Sequence, residues 1–259
     1  MGQFFNDAID IIIEYREFLL RGIGYTMLIA LIGTVVGLVI GLATGILRTC
    51  PASKNPVIRI LQKVFNGLIA CYVEVFRGTP MMVQAMVIYW GYAFATGNTL
   101  PMIPSAILIV SINTGAYMAE IVRGGIISID RGQFEGAAAV GMTHWQTMIH
   151  IVLPQVLRNI LPSVANEFVI NIKDTSVLNV IGVTELFYFA GKIVKDNFQT
   201  FETYLVVCAI YFVLTFAITR LLRLLEKKLQ GADSFVICGS QSDPNAEIRI
   251  KKQPEVPND

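Results

Sequence analysis

Two carboxylates, Glu167 and Asp174, interrupt the apolar run from Asn159 to Ala190, and Lys173 stands beside the second. An ionisable group in such a run is costly to bury, so it faces a polar cavity or finds a partner. Seven residues separate the two acids, about two turns, so a continuous helix carries both on one face. Asn166, Thr175 and Ser176 add hydrogen-bonding groups beside them. Such a cluster can line a solute path or carry protons or sodium. It can equally serve the fold, with Lys173 neutralising Asp174 and Glu167 pairing across a subunit boundary. Two acids against one base leave one negative charge over. Other chemistry is poorly provided for. The cysteines at 50, 71, 208 and 238 form no CxxC, His144 and His150 lack metal-ligand spacing, and no nucleophile stands with a base. Glu74 and Arg77 are spaced to pair at i, i+3 before the helix-breaking sequence Gly78-Thr79-Pro80, which reads as structural positioning.

A second stretch, GQFEGAAAVGMTHWQTMIHIVLPQ from Gly132 to Gln155, is small, Ala-rich and partly charged. It reads as two short helical pieces hinged at Gly141. Ser128 or Asp130 can accept the first free N–H groups, and Glu135 sits where the helix dipole favours negative charge. Ala137, Ala138 and Ala139 offer a low surface, Gly141 ends the first piece, and Pro154 suits the first turn of the next helix. Such a helix docks into a groove on a soluble partner or is a plain amphipathic linker; the residues alone leave both open.

The elements that position these groups follow from composition. Of 259 residues 54% are hydrophobic and 15% charged, with a mean hydropathy of +0.60, which fits a chain that crosses a membrane repeatedly. A crossing helix needs about 20 mostly apolar residues. Tyr25 to Leu47 supplies one, Gly78 to Ala119 two split by the turn GNTLPMIP, Asn159 to Ala190 a fourth and Thr203 to Leu222 a fifth. Val57 to Phe76, carrying Arg59, Lys63 and Glu74, reads as a kinked or surface-lying helix leading into the second crossing. With five crossings, 15 of the 20 basic residues fall on one side, which places the N-terminus outside and the C-terminus in the cytoplasm. Residues 1–20 read as an interfacial helix and 231–259 as a flexible cytoplasmic tail. Gly33, Gly37, Gly41 and Gly45 recur every fourth residue, a stripe suited to close helix packing within the chain.

Glu135, Ala137, Gly141, Ile151, Leu153 and Pro154 stand at the spacing of the EAA loop of ABC importer permeases. Gly136 replaces the first alanine of that pattern. FLLRGIGYTMLIALIGTVVGLVIGL, YVEVFRGTPMMVQ, GAYMAEIVRGGIISIDRGQFEGAAAVGM and NIKDTSVLNVIGVTEL resemble, in order, segments of polar amino acid ABC permeases of the histidine/glutamine/arginine type, over roughly residues 18–225.

The resemblance implies an all-α integral membrane protein with the five crossings of the type I (MetI-like) importer fold, spanning 21–230 with a cytoplasmic coupling loop at 128–155. It implies a multi-pass permease of the bacterial cytoplasmic membrane, working with a cytoplasmic ATPase pair, a second permease subunit and an extracytoplasmic solute-binding protein. No GxxxxGK[ST] phosphate loop is present, so ATP and Mg are expected on the ATPase, with no cofactor, metal, catalytic residue or nucleic-acid partner on this chain. Glu135, Gly136, Ala137, Ala138, Gly141, Leu153 and Pro154 are the expected coupling residues. Asn166, Glu167, Asp174, Thr175 and Ser176 are the expected path, with the two acids meeting the ammonium groups of a polar amino acid. The surplus charge favours arginine, lysine or histidine, with glutamine next. An ion-coupled secondary transporter is the rival, and a membrane scaffold without transport is a third class.

Overall fold

The computed structural model describes residues 2–53 and 55–230, whose regular structure is helical throughout. Gly2–Glu14 forms α1 and Arg16–Thr49 forms α2. Then come α3 (Pro56–Gly78), α4 (Met81–Thr96), α5 (Met102–Ile127), α6 (Arg131–Ala139), α7 (His144–Thr147) and α8 (Leu153–Asp174). A π-helical turn, Met148–Val152, joins α7 to α8, and a 3-10 segment, Thr175–Ile181, follows before α9 (Leu186–Asn197) and α10 (Thr200–Gln230). The interfacial helix expected over 1–20 is shorter than that: α1 ends at Glu14, Ile11 packs with Tyr15 against α9 and α10, and residues 16–20 already belong to α2. The expected tail at 231–259 lies outside the described residues.

Among the described residues, five helical stretches are long and apolar enough to cross a membrane: Arg16–Thr49, Pro56–Gly78, Met102–Ile127, His144–Ile181 and Thr200–Lys228. The number matches the sequence reading, but the second member differs. With 16 residues α4 is about 24 Å long, short of the roughly 30 Å hydrocarbon core. Meanwhile α3 passes by length and composition despite its charges. The two helices act in series along α5. Tyr72 donates to the Ile112 carbonyl, Asn113 meets Phe76 and Gln84, and Ala85 and Tyr89 pack with Ala106 and Ile109. The second pass is therefore α3 followed by α4, broken at Thr79 and Pro80.

The remaining passes are locked by small residues and a few buried polar groups. Gly33, Gly37, Gly41 and Gly45 of α2 lie against Val110, Thr114, Met118 and Val122 of α5, so these helices run parallel in a fixed four-residue register. In lipid such close backbone approach supplies the packing energy that water would otherwise drive. Helix α8 returns antiparallel: Val122 and Ile126 pack near Val152, Val156 and Ile160, while Thr114 meets Asn171 further along. At the α2–α5 end nearest the coupling stretch, Glu120 accepts from both Arg48 and Arg123 and ties the two helices together. At the opposite end Glu185 caps α9 by accepting from the Phe187 and Tyr188 amides and the Tyr211 hydroxyl, and Tyr15 donates to Asp196 at 2.7 Å.

Candidate translocation and coupling sites

Helix α8 runs unbroken from Leu153 to Asp174, so Glu167, Asn171 and Asp174 share one face as the spacing predicts. Asn171 is buried where three passes meet: its amide donates to Thr34 of α2 at 2.8 Å and exchanges hydrogen bonds with Thr114 of α5. Glu167, one turn earlier, is 7% exposed. The other expected path residues divide. Asn166 faces away from the acids, lining a groove of about 230 Å³ with Pro162 and with Thr219, Arg223 and Glu226 of α10. Thr175 is fully buried with its hydroxyl on the Ile172 carbonyl, and Ser176 donates to Lys173. One backbone step is a rotation of about 100° on a helix, which is why neighbours in sequence do not share a cavity.

Arg77, read from the sequence as a partner of Glu74, lies against α5 instead. Among the described residues, ion pairs form at Glu120, and Glu74 takes part in none. The Arg77 guanidinium lies over the Tyr117 ring, 5.5 Å from its centroid. Arg77 is thus placed by α3 against α5, on which that helix packs. A lone arginine at a broken helix end was the available sequence signal, but its direction across the bundle could not be read.

The coupling stretch is built as its residues predict. Asp130, rather than Ser128, caps α6 by accepting from the Gly132 amide at 2.7 Å. The helix ends in a Schellman closure: Gly141 donates to Ala138, Met142 donates to Ala137, and Gly141 takes φ +80°. Thr143 and Gln146 then form a capping box that starts α7. Glu135, Gly136 and Ala138 are exposed and Ala137 is buried, while Leu153 and Pro154 open α8. A hollow of about 360 Å³ sits at the bend, lined by Val140, Gly141, Met142, Gln146 and His150. Residues 59–231, which include both sites, match the family described as binding-protein-dependent transport system inner membrane component.

The chain belongs to that family. It is an inner-membrane permease, one subunit of a system that depends on a separate binding protein. The permease is 37% identical over 219 residues to the glutamine transport system permease protein GlnP of Escherichia coli strain K12, covering 82% of this chain and 93% of that one. It is 36% identical over 218 residues to the L-cystine transport system permease protein TcyB of Bacillus subtilis strain 168, covering 83% and 88%. A crystal structure of an amino acid ABC transporter with histidines superposes with a TM-score of 0.72 at 33% identity, over 84% of this permease and 96% of that chain. An inward-facing MetNI methionine ABC transporter shares the fold at a TM-score of 0.63 and 18% identity, over 82% and 98%. The permease thus has the type I importer fold expected of it.

Proposed function

We propose that this permease carries a polar L-amino acid inward by alternating access, driven by a partner ATPase. The observation that carries the reading is the pair of carboxylates on one face of α8, Glu167 buried and Asp174 half-buried. The two carboxylates meet the α-ammonium group, and Arg77, a fixed planar donor, meets the α-carboxylate. Of the other residues expected in the path, Ser176 of the 3-10 segment stands next to Asp174 in reach of assisting, whereas Asn166 faces α10 and the Thr175 hydroxyl is committed to Ile172. Acids for the ammonium and an arginine for the carboxylate suit a zwitterion with an uncharged polar side chain. Glutamine is the leading candidate, in keeping with the relative named for it. The solved transporter crystallised with histidines supports a second reading, a cationic side chain such as histidine, arginine or lysine.

The placement of basic residues puts the C-terminus and the coupling stretch in the cytoplasm. There α6 seats on the ATPase pair, which holds ATP and Mg. Glu135, Gly136, Ala137 and Ala138 form the contact, with Glu135 as polar anchor, and Gly141, Leu153 and Pro154 pass its motion to α8. A second permease subunit completes the path, and an extracytoplasmic binding protein delivers the solute. ATP binding opens the path outward, and hydrolysis returns it inward.

Proteoliposomes holding the full transporter and its binding protein test this with radiolabelled glutamine, histidine, arginine and cystine. The expected result is uptake that requires ATP on the ATPase side, greatest for glutamine and strongly reduced in Glu167→Gln and Asp174→Asn. Uptake indifferent to ATP but following a proton or sodium gradient would overturn the reading in favour of an ion-coupled carrier.

A further inference from the structure

The break between α3 and α4 leaves backbone carbonyls without helical partners inside a membrane pass, where water cannot satisfy them. Gln84, 7% exposed, reaches two of them: its Nε2 lies 2.9 Å from the Phe76 carbonyl, from the Thr79 carbonyl and from Thr79 Oγ1, its two N–H groups shared among the three acceptors. The Thr79 hydroxyl keeps a lone pair free for this because it gives its own proton to Val75 at 2.8 Å. The other end of the Gln84 amide is held as well. Its Oε1 accepts from Asn113 Nδ2 of α5 at 2.9 Å, and the same Asn113 amide reaches the Phe76 carbonyl at 3.4 Å. The pinned carbonyls belong to residues 76 and 79, on either side of Arg77. One residue beyond Phe76 on α3, Arg77 lies over Tyr117, one turn beyond Asn113 on α5.

From this juxtaposition we infer that Gln84 and Asn113 are positioning residues for Arg77: they clamp the broken end of α3 to α5 so that the guanidinium is held over Tyr117. The inference rests on the assignment of Arg77 to the solute carboxylate. An unbroken helix would not need the clamp, and a break without it would leave the last turn of α3, and with it Arg77, free to turn away. The amide pair is suited to the task because each group both gives and accepts, which fixes its orientation as well as its distance.

The measured quantity is amino acid moved per ATP hydrolysed, in proteoliposomes with the complete transporter. Arg77→Ala is expected to lower this ratio about tenfold, the worth of one hydrogen bond to a charged group. Gln84→Met and Asn113→Leu, which keep side-chain volume and remove the amides, are expected to lower it in the same sense while binding-protein-stimulated ATP hydrolysis persists. In an Arg77→Ala background neither should add a further loss, since residues that act through one another are not additive. The reciprocal exchange, Gln84→Asn with Asn113→Gln, should recover part of the ratio. Thr79→Val removes one acceptor from an exposed residue and supplies a milder variant should the buried ones fail to assemble; it should lower the ratio less. Clamp variants, Thr79→Val included, that leave the ratio unchanged, reduce uptake and ATP hydrolysis in parallel, or add their full loss to that of Arg77→Ala would overturn the inference. An Arg77→Ala variant with an unchanged ratio would instead remove the carboxylate assignment beneath it.

Discussion

Gly41 of α2 and Met118 of α5 meet so closely that a Cβ added to the glycine would stand 2.2 Å from the methionine Cβ. The neighbouring glycines of the stripe are almost as tight, at 2.5 Å from Val110 for Gly33 and 2.8 Å from Thr114 for Gly37. Gly41→Ala should therefore destabilise the protein by about 1–3 kcal/mol, as overpacking does. A lowered unfolding temperature in detergent would register it. Gly24→Ala and Gly67→Ala, where an added Cβ meets nothing within 4 Å, serve as contrasts and should be neutral or slightly stabilising.

Asn171 holds three passes through Thr34 and Thr114. Asn171→Leu keeps the volume and removes both contacts. Hydrogen bonds between membrane helices average about 0.6 kcal/mol, so the expected cost is about 1–2 kcal/mol. The Thr114→Val and Asn171→Leu losses should be less than additive in the double variant, by thermal unfolding, because they share a bond.

At Gly141 the constraint is the backbone alone, since φ is +80° and no atom lies within 4 Å of an added Cβ. A β-branched residue there carries about 1–2 kcal/mol of strain, whereas asparagine tolerates the left-handed region better. Gly141→Val should uncouple the transporter, so that ATP hydrolysis no longer yields uptake, and Gly141→Asn should fall between. Wild-type uptake and ATPase stimulation in Gly141→Val would remove the hinge role.

Tyr15 donates to Asp196, and this bond, aided by burial, pushes the phenol up to about 12 from its ordinary 10.0. A raised folded-state value means the unfolded chain loses this proton first. The contribution is complete below the unfolded value and is lost as pH rises through the folded one. Thermal stability should therefore fall between about pH 10 and pH 12, and Tyr15→Phe should flatten that part of the profile.

Much of this was legible in the residues. The glycine stripe, the hinge at Gly141, the cap at Asp130 and the shared face of Glu167 and Asp174 are local or periodic features, and helical geometry alone converts spacing into position. The second pass was not legible in full. A charge count along residues 57–76 set that stretch aside, whereas its length and mean hydropathy suit a crossing helix and α4 continues it along α5. Asn166 was grouped with Glu167 by adjacency, yet the rotation between them sends it to α10.

What the sequence determined by itself is the solvent of the chain, the number of passes, and local stops such as the cap at Asp130 and the bend at Gly141, because hydropathy, caps and breakers act over a few residues. The tertiary structure alone decided which groups face one another: Arg77 turning to Tyr117, Gln84 closing the break with Asn113, and Asn171 bridging α2 and α5. Those pairings join residues far apart in the chain. They are set by packing in three dimensions, for which no local pattern in one sequence carries a signal.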